Sequence, residues 1–209
     1  GVRMKLLVVG GGGREHAIIK KLKENPEVSE IFALPGNGGI ANEAECIDIG
    51  AKDIEKITEF AASNNIDFAV VAPDDPLALG AVDALEAIGI KCFGPNKAAA
   101  VIESSKVFAK ELMKKYRIPT AEYEVFDDMD KALSYLDTAA IPAVIKADGL
   151  ALGKGVLICE NEQQAADGVK EIMLDKKFGA SGNHVVVEEF LTGPEVSVLS
   201  FTDGKVVKP

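Results

Sequence analysis

The chain has 209 residues, of which 47% are hydrophobic, and it carries a formal net charge of −10 at pH 7. This length accommodates more than one domain, and the hydrophobic content supports a packed core. The acidic balance argues against a protein that binds nucleic acid or an anionic membrane through its charge, and no apolar run approaches the ~18 residues of a membrane span. Any phosphate site must therefore be built locally, from a few cationic side chains and backbone N–H groups.

Apolar strands and helices alternate through the first hundred residues. Strands are predicted at 4–10, 31–34, 68–71 and 91–93, and helices at 15–23, 54–63 and 77–88. This alternation indicates a parallel sheet covered by helices on both faces. Each strand is followed by a turn rich in Gly, Pro, Asn or Asp. Such turns are what βα loops require in any case, but four of them at one sheet edge favour a binding crevice.

The first of these turns is a run of four glycines, Gly10 to Gly13, at the start of a helix. Backbone N–H groups converge there and the helix dipole favours an anion, so the run suits one phosphate, with Arg14 and His16 nearby. A dinucleotide-binding fingerprint is not met, because Glu15 occupies the third glycine position and no acidic residue ends the second strand. Tight packing of strand on helix is the alternative explanation of the glycines.

Three cysteines, Cys46, Cys92 and Cys159, lie far apart with no metal-like spacing. Their odd number and their position in or near apolar strands predict buried free thiols. Free thiols are typical of a reducing compartment, which indicates the cytoplasm.

The second half begins with a lysine-rich helix at 104–116, capped by Ser104 or Ser105, and Ile118-Pro119-Thr120 marks a domain boundary. An α+β unit of about seventy residues follows, with strands at 123–126, 143–146, 156–158 and 184–191 and helices at 129–136 and 163–173. Residues 195–209 predict a hairpin around Asp203-Gly204. Because that hairpin has no partner sheet, we expect the chain to belong to something longer.

A glycine-rich turn joins the strands at 143–146 and 156–158. Lys146 ends the first of these strands, and Lys154 lies in the turn between Gly153 and Gly155. The turn is not a Walker phosphate loop, because the glycine spacing differs and a strand follows instead of a helix. A flexible cationic flap that closes over nucleotide phosphates is the favoured interpretation, and an ordinary β-hairpin is the alternative.

Other residues of the second half fit the same ligand. Lys106 supplies a further cation, the strand end at 188–191 offers backbone groups to an adenine edge, and Glu195 can accept hydrogen bonds from ribose hydroxyls. Each charged residue alone is more often a solvated surface group. Their joint order along the chain predicts an ATP site.

A series of motifs between residues 12 and 195 resembles one enzyme family. The segments are 12–17 (GGREHA), 35–37, 93–95, 103–106, 118–121, 145–151, 153–156, 178–179 and 188–193. In this order they resemble the N-terminal half of the phosphoribosylamine–glycine ligases (glycinamide ribonucleotide synthetases) of the ATP-grasp superfamily.

The resemblance implies an α/β architecture in four parts. These are an N-terminal open parallel-sheet domain of the pre-ATP-grasp, Rossmann-like type (1–103), a helix and linker (104–122), the α+β lid subdomain of an ATP-grasp fold (123–192) and the start of a truncated ATP-grasp core (193–209). The family continues well past Pro209. Magnesium ligands are therefore expected in the missing C-terminal part and not in this chain, and the chain alone should be inactive.

The resemblance also implies a reaction. ATP phosphorylates the carboxylate of glycine, the amine of 5-phosphoribosylamine attacks the glycyl phosphate, and glycinamide ribonucleotide, ADP and phosphate are released in purine biosynthesis. Mg²⁺ or Mn²⁺ would assist. We expect a monomeric cytoplasmic enzyme with small-molecule substrates and no nucleic-acid or membrane partner.

By position in the motifs, the resemblance assigns residues to each ligand. ATP would contact Lys106, Lys146, Gly153, Lys154, Gly155, Glu188, Glu189, Leu191 and Glu195. Of these, the lysines and the 153–155 turn would contact the phosphates. Glu188 and the backbone up to Leu191 would contact the adenine, and Glu195 would contact the ribose. The sugar phosphate would contact Gly12, Gly13, Arg14, Asn37 and Asp74. No catalytic nucleophile is expected, because the substrates supply the reacting groups.

Departures and alternatives bear on this assignment. Asp74 stands where the family has glutamate and is one methylene shorter, which puts its sugar contact in doubt; Leu152 and Asn96 replace alanine and threonine. The alternatives are another ATP-grasp ligase, such as a biotin-carboxylase-like or purine-carboxylating enzyme, or a nucleotide-binding module without catalysis. The Gly-Gly-Arg-Glu-His run favours the glycinamide family, and an NAD-dependent oxidoreductase is the most distant alternative.

Overall fold

The structure, a computed structural model, describes residues 3–150, 155–175 and 179–209. Two of the residues assigned to ATP, Gly153 and Lys154, lie outside these ranges. The described chain folds into a parallel-sheet unit and an antiparallel-sheet unit, joined by two consecutive helices. None of the helices within the described ranges is long and apolar enough to cross a membrane.

The predicted parallel sheet is confirmed. Within residues 3–150 its strands are β1 (Met4–Gly10), β2 (Val28–Pro35), β3 (Glu45–Cys46), β4 (Phe68–Val71) and β5 (Lys91–Phe93), in the order β3-β2-β1-β4-β5 with every neighbouring pair parallel. The sequence did not predict β3. It has two residues, too few to show a periodic pattern.

Helices cover both faces of this sheet. Leu7 and Val9 of β1 pack on the side of α2 (Ile54–Ser63), whereas Leu6 and Val8 pack on the side of α1 (Gly13–Leu22). Each fully buried aliphatic side chain contributes roughly 1.5–3 kcal/mol. Because consecutive β1 residues are buried on opposite faces, residues 6–9 form a continuous apolar run.

The single helix predicted at 77–88 is wrong. The chain forms α3 (Asp74–Ala78) and α4 (Ala81–Ala87), separated at Gly80, whose φ of +89° lies in the left-handed region. Glycine adopts this conformation without the penalty of a Cβ atom. The break places Asp74 in the first turn of a separate short helix at the sheet edge.

The helix predicted at 104–116 is confirmed as α6 (Lys106–Tyr116), and a separate helix that the sequence did not predict, α5 (Lys97–Ser104), precedes it. Ser105 between them is extended, and its hydroxyl accepts a hydrogen bond from the Phe108 N–H at 3.1 Å. Ser105 is therefore the cap of α6. This cap places Lys106 at the first position of α6.

The second unit is an antiparallel sheet with helices on one face. Its strands in the described residues are β6 (Tyr123–Phe126), β7 (Ala143–Ala147), β8 (Val156–Cys159) and β9 (Val185–Glu189), in the order β6-β9-β7-β8, and α7 (Met129–Leu136) and α8 (Glu162–Met173) pack on it. Ile145 and Val187 are buried against these helices. The next residue on each strand, Lys146 in β7 and Glu188 in β9, points to the opposite face of the sheet, because side chains alternate along a strand.

The C-terminal segment departs from its prediction. The strand expected at 184–191 ends at Glu189, and the predicted hairpin is reduced to β10 (Phe201–Thr202) and β11 (Val207–Lys208) around the expected Asp203-Gly204 turn. Val196 and Val198 are 79% and 78% exposed. Strand formation needs a packed face, and these side chains have none within the described residues.

Candidate functional site

A cleft of about 600 Å³ lies between the two units. The first unit lines it with Arg14, Pro73, Asp74 and Asp75; the connecting helices line it with Ile102, Glu103, Lys106, Ala109, Lys110 and Met113. The second unit lines it with Lys146, Gly149, Leu150, Gly155, Val156 and Glu188. The cleft therefore brings together cationic and carboxylate side chains from both units and from the connecting helices.

Glu188 lies at the centre of the charged groups. Lys146, on the adjacent strand β7, donates a hydrogen bond to Oε2 at 2.7 Å, and Lys110 Nζ lies 3.3 Å from the same oxygen. The Glu188 side chain is 5% exposed. Its other oxygen, Oε1, is buried and has no hydrogen-bond partner in the described part of the chain. A buried acceptor of this kind is costly unless a donor reaches it.

Lys110 was not among the predicted site residues. Its ammonium donates to Thr120 Oγ1 at 2.7 Å and to the Ala121 carbonyl at 3.3 Å, and it lies 5.3 Å from the centre of the Tyr123 ring. A weak sequence signal existed, since Lys110 follows Lys106 by four residues and so shares its helix face.

Lys106 reaches the cleft from the first turn of α6. Its Nζ donates to the carbonyl of Gly149 at 2.8 Å. Burial, which disfavours the charged form, lowers the pKa of this ammonium from its ordinary value, and the nearby Asp148 opposes the effect. Lys106 is thus a partly desolvated cation, which interacts more strongly with an anion than a solvated one does.

The sugar-phosphate residues divide into two groups. Arg14 and Asp74 line the cleft, and the Arg14 side chain is 68% exposed. At Gly13 an added Cβ would meet nothing within 4 Å, so the start of α1 is open. The N–H of Gly12 instead donates to Glu15 Oε2 at 2.7 Å, within the helix cap.

Asn37 does not line the cleft, and its amide is used inside the protein. The amide nitrogen donates to the Gly11 carbonyl at 2.8 Å, and Oδ1 accepts from the N–H groups of Gly39 and Ile40 at 2.8 and 2.9 Å. Asn37 therefore ties the loop after β2 to the loop after β1.

Of the residues assigned to adenine and ribose, Glu188 lines the cleft, and Glu189, Leu191 and Glu195 do not. Glu189 faces away from Glu188, and its carboxylate accepts from the Glu122 N–H at 3.3 Å. Leu191 is 62% exposed, and Glu195 is exposed as well. Of the 153–155 turn, the described residue Gly155 lines the cleft.

The described residues do not fit a magnesium centre. They contain no group of three or more His, Cys, Asp or Glu side chains that could hold a metal ion. The three cysteines are free; Cys159 is buried, while Cys46 and Cys92 are half-buried rather than buried as predicted.

Comparisons with known proteins agree with this arrangement. The family model described as "Phosphoribosylglycinamide synthetase, N domain" matches residues 4–103, and the model described as "Phosphoribosylglycinamide synthetase, ATP-grasp (A) domain" matches residues 104–209. Together they cover both units and the cleft between them.

Individual relatives agree with the family models. The chain is 48% identical over 206 residues to the phosphoribosylamine–glycine ligase of Clostridium acetobutylicum, covering 99% of this chain and 50% of the relative. It is 50% identical over 204 residues to that of Caldanaerobacter subterraneus, covering 98% and 49%. The chain thus spans about half the length of the curated relatives it matches.

Solved structures show the same fold. The crystal structure of phosphoribosylamine–glycine ligase from Thermotoga maritima matches 98% of this chain and 48% of its own with a TM-score of 0.81 at 30% identity. The biotin carboxylase domain of 2-oxoglutarate carboxylase from Hydrogenobacter thermophilus, at 19% identity, matches 91% of this chain and 45% of its own with a TM-score of 0.73. On the family models, the sequence relatives and the shared fold, the chain belongs to the phosphoribosylglycinamide synthetase family.

Proposed function

We propose that the chain forms the N-terminal half of a phosphoribosylamine–glycine ligase. ATP phosphorylates glycine, the amine of 5-phosphoribosylamine displaces phosphate from the glycyl phosphate, and glycinamide ribonucleotide and ADP are released. The observation that carries this proposal is the cleft, where Lys106 and Lys146 face Arg14 and Asp74 across the boundary between the two units. Such a cleft can hold a nucleotide and a sugar phosphate side by side.

The lysines suit the phosphoryl groups of ATP. Phosphoryl transfer needs little covalent help from the protein and depends on positioning and on neutralising the charge of the transferring group. Lysine ammonium groups provide that charge as compact cations. Lys106 and Lys146 reach the cleft from different elements, the first turn of α6 and β7. Both are therefore assigned to the phosphates.

The sugar phosphate is assigned to the edge of the first unit. The open start of α1 at Gly13 favours an anion, and Arg14 adds a cation beside it. Asp74 on the other side of the edge can accept hydrogen bonds from the amine or the hydroxyls of the substrate. Asn37 supports this edge by fixing the two loops, and Gly12 supports it through the helix cap.

The adenosine moiety is assigned to Glu188 and the segment that follows it. The unpartnered Oε1 of Glu188 can accept a hydrogen bond from the adenine amino group, while Glu189 and Leu191 contribute backbone and Glu195 meets the ribose. The 153–155 turn is assigned to covering the phosphates, which would keep water from the acyl phosphate. Mg²⁺ or Mn²⁺ belongs to the proposal as a counter-ion of ATP.

The enzyme is proposed to be monomeric, to lie in the cytoplasm and to act on small molecules. Three free thiols support a reducing compartment, and the net charge of −10 disfavours nucleic acid and anionic membranes as partners. The family models favour glycine and 5-phosphoribosylamine over the substrates of other ATP-grasp ligases.

Two measurements test the proposal. Calorimetric titration of ATP into the chain should show binding that weakens roughly tenfold or more in Lys146→Ala and Lys106→Ala, because each removes a charge-assisted contact. Lys131→Ala, at an exposed position of α7, is the matched control and should bind like the wild type. Equal affinities in all four proteins would contradict the assignment.

The reaction itself is tested in a full-length ligase that contains this chain. ADP release should require both glycine and 5-phosphoribosylamine, and bicarbonate should not replace glycine. ATP binding without such turnover would favour a nucleotide-binding module, and turnover with bicarbonate would favour a carboxylating ligase.

A further inference from the structure

Two lysines share a single oxygen of Glu188, yet their surroundings differ. Lys110 is 8% exposed at its side chain, whereas Lys146 is 25% exposed and lies at the cleft wall. Lys110 approaches Glu188 Oε2 at 3.3 Å and Lys146 at 2.7 Å. The difference in exposure gives the two cations different freedom to move.

The Lys110 ammonium is fully engaged. It has three N–H donors, and it contacts three acceptors: Thr120 Oγ1, the Ala121 carbonyl and Glu188 Oε2. The Tyr123 ring lies 5.3 Å away and adds a cation–π contact. Moving Lys110 towards a ligand would break all of these contacts, so Lys110 is a fixed charge.

Lys146 is less constrained. In the described part of the chain its ammonium donates to Glu188, and its remaining N–H groups lie at the cleft. A phosphate in the cleft would attract Lys146 away from Glu188. The buried Glu188 carboxylate would then be left unpaired, at a large free-energy cost, if it had no second cation.

We propose that Lys110 is a positioning residue that holds the charge of Glu188 and so releases Lys146 to bind nucleotide phosphate. The inference rests on the proposed function, since it needs a phosphate ligand in the cleft. Without Lys110, Glu188 and Lys146 form a closed ion pair, and each phosphate that engages Lys146 must break it. With Lys110 present, Glu188 stays paired when Lys146 turns towards the phosphate.

The test compares ATP with adenosine in Lys110→Met. We expect ATP affinity to fall roughly ten- to hundredfold, since breaking a charge-assisted contact now opposes binding, while adenosine affinity stays within about twofold. A merely structural role would weaken both ligands together. Equal losses for ATP and adenosine, or no loss of ATP affinity, would overturn the inference.

A double variant tests the same inference in case Lys110→Met does not fold. In Lys110→Met/Glu188→Gln no buried carboxylate is left to trap Lys146, so its ATP affinity should match that of Glu188→Gln alone. Additive losses in the double variant would show that Lys110 acts independently of Glu188 and would contradict the inference. This comparison stands even if Lys110→Met itself does not fold, and thermal unfolding of each variant identifies that case.

The Lys146→Ala titration distinguishes a failure of the proposed function from a failure of the role given to Lys110. If Lys146→Ala leaves ATP affinity unchanged, the proposed function is wrong. If Lys146→Ala weakens ATP binding but Lys110→Met does not, the role given to Lys110 alone is wrong.

Discussion

The ammonium of Lys106 donates a hydrogen bond to the carbonyl oxygen of Gly149, 2.8 Å away, and so joins the first residue of α6 to the turn that follows β7. Asp148 strengthens the same junction, because it accepts from Ser105 Oγ and from the Val107 N–H, each at 3.2 Å. The start of α6 and the base of the glycine-rich hairpin are thereby held together. This junction fixes the position of Lys106 relative to Lys146.

Replacing Asp148 with alanine should loosen the junction. The change removes an acceptor from the hydroxyl of Ser105 and from the N–H of Val107, and we expect a loss of about 1–3 kcal/mol in the free energy of unfolding. Urea denaturation measures it. Asp127→Ala, at an exposed position before α7, is the control and should change stability by less than about 0.5 kcal/mol. Identical urea midpoints for the two variants would contradict the anchoring role of Asp148.

Nucleotide affinity should fall in alkaline solution because of Lys106. Burial lowers the pKa of its ammonium below the ordinary value of 10.5. As pH rises, Lys106 therefore loses its proton at a lower pH than a solvated lysine does. Its attraction for phosphate is lost with the proton. ATP is fully ionised above about pH 8, so its own titration does not interfere. Calorimetric titrations at increasing pH should show affinity declining before pH 10.5 is reached.

Lys106→Arg is the control for this pH dependence. Guanidinium remains protonated up to a pKa of about 12 or more, so the variant should keep its own affinity over the same interval. Parallel declines in the wild type and in Lys106→Arg would show that another group titrates.

Two neighbouring glycines should differ sharply in their tolerance of a methyl group. A Cβ at Gly11 would lie 2.4 Å from the carbonyl oxygen of Gly36, whereas a Cβ at Gly13 would meet nothing within 4 Å. We expect Gly11→Ala to lower the free energy of unfolding by roughly 1–3 kcal/mol, as overpacking does.

Gly13→Ala serves as the matched control in chemical denaturation. It should leave stability unchanged or raise it by up to about 1 kcal/mol, because alanine is the better helix former. The same variant should weaken binding of ribose 5-phosphate, because its methyl group enters the space assigned to the phosphate. A stable Gly11→Ala protein would disprove the close approach of the two loops.

The thiols of Cys92 and Cys159 should react slowly in the folded protein. Burial, with a smaller effect from Glu86, raises the pKa of Cys92 to about 11, and burial raises the pKa of Cys159. Thiolate is the reactive form, so disulfide exchange at pH 8 should be at least roughly tenfold slower than with glutathione. The measurement uses Cys46→Ser with a chromogenic disulfide, and urea should restore full reactivity. Rapid reaction of both thiols without urea would contradict the raised pKa of the two groups.

The parallel sheet could be predicted because its signals are local. The strands at 4–10 and 68–71 are continuous apolar runs that end in glycine or proline turns, and both appear at the predicted positions. The break at Gly80 could not be predicted, because the apolar pattern of 77–88 continues through it. Gly80 adopts a left-handed conformation there and separates α3 from α4.

The cleft residues also differ in how far local sequence could predict them. The sequence identified Lys106 and Lys146 because they occur in ordered motifs beside glycines and strand ends, and both line the cleft. Lys110 escaped notice because it lies in a lysine-rich helix where nothing local distinguishes a buried lysine from an exposed one. Its partners Thr120 and Glu188 lie in other segments, so its role depends on how those segments come together.

The alternation of buried and cleft-facing side chains along β7 restricts the register in which this strand can pair. Ile145 is buried under the helices while Lys146 points to the cleft. Sliding β7 by one position against its neighbours would drive an ammonium into hydrocarbon and expose an isoleucine to water, so a misaligned strand is penalised twice. A register error that removed Lys146 from the cleft would therefore also disrupt the core, and a correctly packed second unit places Lys146 at the cleft wall.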